Sequence, residues 1–198
     1  MIDDLDRTLE ELLRRELPPS IVSQVTISFA TPDDQFPPTS VTLPAIDLFL
    51  YDVRENRDLR TNEWLMERRA DGTVTKRRSP VRVESSYLVT AWASDSSTTP
   101  ALDEHRLLSE VMMVLLRYPA IPEEVLQGEL KGQEPPLPAI TLHPGRLQSL
   151  GEFWQALGGK PKAALNYTVT FGVDVHRPLE TVVVTEKILK FHVEKGTV

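Results

Sequence analysis

Leu165-Asn166-Tyr167-Thr168-Val169-Thr170-Phe171-Gly172-Val173-Asp174-Val175-His176 is the stretch that decides the fold. Every odd position is apolar and every even one is polar or small. That period of two describes a strand with one face on a core and the other turned away from it. Downstream, Thr181 to Val193 is a second β-prone segment, opening on Val182-Val183-Val184 and closing on Phe191-His192-Val193. Upstream, Ser149-Leu150-Gly151-Glu152 has capping-box spacing. It predicts a short helix, Glu152–Leu157, closed by Gly158-Gly159. Residues 122–144 are proline-rich and read as irregular.

Farther upstream, Pro100 suits a first helical position, with Asp103 and Glu104 favoured in the opening turns. The helix runs to about Arg117 and stops before Pro119. Leu107, Leu108, Val111, Met112, Val114, Leu115 and Leu116 make it apolar around most of its circumference. Such a helix is either deeply buried or covered on a second side by another subunit. Val81 to Ala93 reads as a long strand. Asn62 to Arg78 reads as a hairpin turning at Asp71-Gly72, which suits the positive-φ pair of a type I′ turn. Ala45 to Val53 is apolar on both faces, with Ile46, Leu48 and Leu50 opposite Phe49, Tyr51 and Val53, as in an interior strand. Thr31 to Pro44, with four prolines, reads as a loop, and Val22 to Phe29 alternates like a half-buried strand. Ile2, Leu5, Leu9, Leu12, Leu13 and Leu17 mark an amphipathic helix over 2–17, ended by Pro18-Pro19. It covers a sheet or binds a partner.

Helices and strands in this order do not alternate regularly. The expectation is an α+β fold: a mixed, largely antiparallel sheet flanked by helices. There is no internal repeat and no low-complexity tract.

The chain has 198 residues, no cysteine, 16 prolines and a net charge of -7. A core of this size folds without disulfide or metal staples. Thiol nucleophiles, Cys-ligated metals and redox switching are excluded. No apolar run is long enough to span a bilayer, so direct membrane insertion is not expected. Met1-Ile2-Asp3-Asp4 is acidic where a signal peptide would be basic, and synthesis in the cytoplasm is the expectation.

Catalytic signals are weak. Gly158-Gly159-Lys160 lacks the strand and spacing of a phosphate loop. His105, His143, His176 and His192 share no metal-ligand spacing. In Asp103-Glu104-His105, consecutive helical side chains point about 100° apart and cannot converge on one ion. No Gly-x-Ser-x-Gly element occurs. No cofactor and no active site are expected.

Charge placement says more. Residues 54–82 hold nine bases and five acids, a net of +4, so the remainder carries -11. Either the charges of a solvated hairpin deter edge pairing, or the hairpin docks on an acidic surface of a neighbour. Nucleic acid is the poorer partner, because few aromatics interleave with these bases.

Five stretches in order carry a resemblance. They are Leu43 to Asn56 (LPAIDLFLYDVREN), Tyr87 to Ala93 (YLVTAWA), Asp103 to Glu110 (DEHRLLSE), Leu115 to Pro119 (LLRYP), and Ser149 to Gly158 (SLGEFWQALG) continuing to Leu165-Asn166-Tyr167-Thr168-Val169. Together they resemble the N-terminal domain of the cap, or tail-terminator, proteins of extracellular contractile injection systems of the antifeeding-prophage and virulence-cassette type. The resemblance covers roughly residues 1–175 as a tail-terminator-like domain and leaves 176–198 as a C-terminal β-prone extension. It implies a structural protein that forms a six-subunit ring on the last layer of inner tube and contractile sheath. Such a ring ends polymerisation and holds the sheath end to the tube. The implied partners are further copies of itself, the tube protein and the sheath protein. A neck or tail-completion protein of a contractile-tailed phage is the alternative, and a small hydrolase or solitary binding module a third reading. Some relatives continue into a further C-terminal region, whereas the clear match here stops about twenty residues before Val198.

On that footing the contact residues expected are Arg68, Arg69, Arg77 and Arg78 on the hairpin, for an acidic tube or sheath end. Leu108, Met112 and Leu116 are expected on the long helix, and Val182, Val184 and Phe191 in the last segment. Residues 181–193 are expected either to pair with a neighbour's sheet edge or to add a strand to this chain's own sheet.

Overall fold

The computed structural model describes residues 1–69, 73–133, 136–142 and 150–182. The first helix, α1 (Ile2–Glu16), buries Leu5, Leu9, Leu12 and Leu13 completely, as their spacing demands. The strand expected from Val22 is shorter than its alternation suggests. Residues Pro19–Val22 instead form one helical turn, α2, because Pro19 sits at a helical first position and the Pro18 carbonyl accepts from Ile21 N and Val22 N at 2.8 and 3.1 Å. Only Thr26–Ser28 remains as β1. It lies parallel to β2 (Ala45–Glu55), which pairs antiparallel with β5 (Val81–Trp92). Between them the hairpin forms as expected from β3 (Trp64–Arg68) and β4 (Thr73–Arg78), its turn lying outside the described residues.

The long helix is α3 (Pro100–Arg117), the short one α4 (Leu150–Ala156), and the decisive alternating stretch is β7 (Ala164–Val173). Ser149 of the expected capping box is outside the described residues. Gly158, at φ 69°, supplies the left-handed conformation that closes α4. One strand lies where the sequence reads as irregular: Ala139–Thr141, β6, pairs with β7. Ile140 and Thr141 are β-branched, but three residues are too few to show an alternation, and pairing with the long neighbour makes them a strand.

The five-stranded sheet has the order β1-β2-β5-β7-β6 with one parallel pair, a mixed and largely antiparallel sheet flanked by helices. Ile46, Leu48, Tyr87, Val89, Ala91, Leu165, Tyr167 and Val169 join α1 and α3 in one core. The other face of β2 is covered too, which is why both its faces are apolar. Phe153 of α4 lies 6.2 Å from both Phe49 and Tyr51, and Phe36 of the proline-rich loop stacks on Trp92 at 4.1 Å.

The second sheet contains β3, β4 and β8 (Leu179–Val182), in that order. β3 follows β2, β4 precedes β5, and β8 follows β7. The small sheet therefore repeats the order of the three central strands and forms an arm at their far end. Thr181 and Val182 pair with Val74 and Thr73 of the same chain, so the two described residues of that segment lie in this chain's own sheet. Residues 183–198, with Val184 and Phe191, lie outside the described residues.

Two tight features yield predictions. Asp4 Oδ2 accepts from Glu129 N at 3.2 Å, and Thr8 Oγ1 from Gln127 N at 3.0 Å, so the first turns of α1 clamp the 127–129 turn. Gly128 has φ 51°, and a Cβ there collides with the Asp4 carboxylate. Gly128→Ala is expected to cost about 2 kcal/mol from left-handed strain and the loosened clamp, read from urea denaturation. The buried hydroxyl of Tyr167 has no hydrogen-bond partner among the described residues, whereas Tyr87 donates to Asp6 Oδ1 at 2.7 Å. Tyr167→Phe should therefore raise stability by about 1 kcal/mol and Tyr87→Phe lower it by a similar amount, a difference of sign that paired melting curves resolve.

Candidate interaction surfaces

The titratable cluster at the start of α3 is structural. Asp103 accepts from the Ser97 hydroxyl, while Glu104 accepts from Lys162 Nζ at 2.6 Å and from Ala93 N at 3.4 Å. Lys162 in turn lies 4.2 Å over the Trp92 ring. These contacts tie α3 to the end of β5 and to the segment before β7. His105 and His176 are exposed and far apart in sequence, and His143 and His192 are outside the described residues. Among the described residues no group of three or more His, Asp or Glu could hold a metal. Among them, too, no helix is long and apolar enough to cross a membrane.

The distinctive chemistry is on the arm. Register places Trp64 opposite Arg78, Met66 opposite Lys76 and Arg68 opposite Val74, with Leu179 continuing that face on β8. Directly opposed residues share a face of a sheet. Lys76 Nζ lies 4.2 Å and the Arg78 guanidinium carbon 5.2 Å from the Trp64 ring centre, as a cation over an aromatic face. Among the described residues this first face therefore carries Arg68, Lys76 and Arg78 with no carboxylate. Between the cations it exposes Trp64, Met66 (69%) and Leu179 (56%). The other face carries Leu65, Glu67, Thr75, Arg77 and Glu180. Leu65, Glu67 and Arg77 line a cleft of about 1380 Å³ whose far wall includes Glu129, Lys131, Gln133 and Asp174. Arg69 donates to Glu180 Oε1 at 2.9 Å, and Arg77 lies 3.9 Å from Asp174 Oδ2.

The four arginines expected to act together are thus split by the pleat. Arg68 and Arg78 share the cationic face, while Arg69 and Arg77 already face acids of their own chain. Trp64, Met66, Lys76 and Leu179 complete that face, and the sequence alone does not single them out. The signal for three of them is present in the alternation of β3 and β4, read across the hairpin.

The α3 residues also separate. Leu108 is buried in the chain's own core, and Met112 packs half-buried against it. Leu116 is 51% exposed and lies on an outer stripe with Met113 and Leu102, the last 67% exposed. Positions 102, 109, 113 and 116 fall on one side at a helical period. Nothing among the described residues covers this stripe.

These features define a class: a mixed α+β domain with two flanking helices over the sheet, whose chemistry lies on its surfaces. The same fold is found in the cryo-EM structure of the PVC sheath/tube terminator of an extracellular contractile injection system in its extended state, with TM-score 0.68 and 24% identity over 100% of this chain and 64% of that one. It is found again in the anti-feeding prophage cap, the AFP tube terminating cap, with TM-score 0.63 and 26% identity over 96% of this chain and 61% of that one. The chain belongs to the Pvc16 N-terminal domain family, whose model matches residues 4–184. It spans less than two thirds of the length of either solved structure. No curated protein matches it.

Proposed function

We propose that this chain is a structural cap: it terminates the inner tube and sheath of a contractile injection system and links the sheath end to the tube. The observation that carries this reading is the family match over residues 4–184, joined to the likeness to a sheath/tube terminator and a tube-terminating cap. The physical task is defined. A head-to-tail polymer exposes an unfinished heterologous interface at its growing end. A terminator satisfies that interface and offers the next subunit nothing to bind. Flat surfaces of mixed charge and apolar area suit that task better than a deep pocket.

In this reading six copies form a ring. The exposed Leu102–Met113–Leu116 stripe of α3 is a contact with tube or neighbouring cap, and the arm is a second contact. The chain is made in the cytoplasm and is incorporated into the tail-like particle. Co-sedimentation with purified tubes and sheaths tests the reading, with gold labelling to locate the chain. Label at one end of each particle is the expected result. Label along the whole length, or none, would count against capping.

A further inference from the structure

We infer that the cationic face of the arm, formed by Trp64, Met66, Arg68, Lys76, Arg78 and Leu179, is one half of a heterologous contact between copies of this chain. The inference rests on the capping reading and names a surface for the ring.

Charge and symmetry together point to it. Among the described residues the face carries three cations and no carboxylate, around three exposed apolar side chains. A twofold contact through it would set Arg68, Lys76 and Arg78 against their own copies, which repel. Outside residues 54–82 the same chain carries a net charge of -11. A second copy therefore attracts this face only by presenting a different surface, one from its acidic remainder. Two different surfaces in contact make a head-to-tail interface, which closes into a ring or runs on as a filament and does not stop at a dimer. Trp64, with Lys76 and Arg78 against its ring, is a preformed anchor of the type that dominates interfaces, with Met66 beside it as an adaptable contact. On the opposite face Arg69 and Arg77 already face Glu180 and Asp174, so that side has far less charge to offer.

Sedimentation velocity of the full chain tests this. In about 0.05 M salt the wild type should form species larger than a dimer, with association weakened roughly tenfold or more as salt rises to about 0.5 M. Arg68→Glu with Arg78→Glu should leave a folded monomer. Met66→Asp alters no cation, and its exposed position spares the fold, so it should weaken association as an independent check. Lys160→Glu, an exposed cation away from the arm, should leave association unchanged. A wild type that stops at a closed dimer, or a double variant that associates like wild type, overturns the inference. So does charge reversal that abolishes binding of a labelled single-stranded oligonucleotide while association persists. A wild type that stays monomeric also overturns it, and leaves the capping reading to be decided separately by tube length.

Discussion

Asp47→Asn is expected to change strongly how stability depends on pH between about 4 and about 8. Asp47 sits on β2 between Ile46 and Leu48, is completely buried, and has both carboxyl oxygens without hydrogen-bond partners among the described residues. Burial pushes its carboxyl from the ordinary 3.8 up to about 7, with only a weaker opposing pull from the nearby Ser28 hydroxyl and Ala30 N–H. In the unfolded chain the group loses its proton near pH 4. The folded chain must hold that proton or bear a poorly compensated charge. The unfolded state therefore gains relative to the folded one as pH rises from about 4 to about 7, and levels off above. Asparagine does not ionise, so its constant cost cancels when two pH values are compared. Each tenfold difference in proton affinity between the folded and unfolded chain is worth about 1.4 kcal/mol. The stability of the Asn variant relative to wild type should thus rise by roughly 4 kcal/mol between about pH 4 and about pH 8. Urea denaturation at several pH values measures it. A difference that stays flat with pH would mean that Asp47 is ionised and paired.

The second large effect is Trp154→Ala. Trp154 is the largest fully buried side chain, on a helix of only seven residues. That helix is too short to hold itself, so its packing must hold it. Trp154 meets Phe153 edge-on at 5.9 Å, and a Cβ on Gly159 would come within 3.3 Å of its ring. Truncation should cost about 3–5 kcal/mol, a large share of the stability of an ordinary domain. Trp154→Phe keeps a ring in place and removes the buried indole N–H, which has no partner among the described residues. Its cost should be near 1 kcal/mol, within the range for a modest loss of core volume. Equal losses for the two variants would show that α4 is not held by this ring.

Some of this architecture is legible residue by residue. The alternation of 165–175 fixes β7 because a period of two belongs to a strand alone, although the strand is not half-buried as expected: Thr168 and Thr170 on its polar face are buried too. The two-sided apolarity of 45–53 marks an interior strand, since α1 and α3 cover one face while Phe153 covers the other. Elsewhere the missing information is tertiary. Val22 stands at the head of an alternating run that carries Val25, Ile27 and Phe29 on one face, but it belongs to a turn set by Pro18 and Pro19. Ala139–Thr141 becomes a strand because β7 has an open edge there. Leu108 and Leu116 look equivalent in a helix that is apolar nearly all round, and only the phase of α3 against the sheet separates the buried one from the exposed one. For the arm, the excess of bases is legible. Alternation alone sends Arg77 and Arg78 to opposite sides, but joining Arg78 with Trp64 and Arg68 on one face needs the β3–β4 register. Asp47 carries a readable signal too, as a lone carboxylate inside an apolar strand.

We propose that this chain acts by ending a polymer. That reading is tested most directly by electron microscopy of particles assembled with and without the chain, scoring the length of inner tube and sheath. The account predicts that without it tubes grow to abnormal and variable lengths, or that sheaths detach from the tube end, and that supplying the wild-type chain restores uniform particles. Particles of normal length with firmly attached sheaths in its absence would contradict the account.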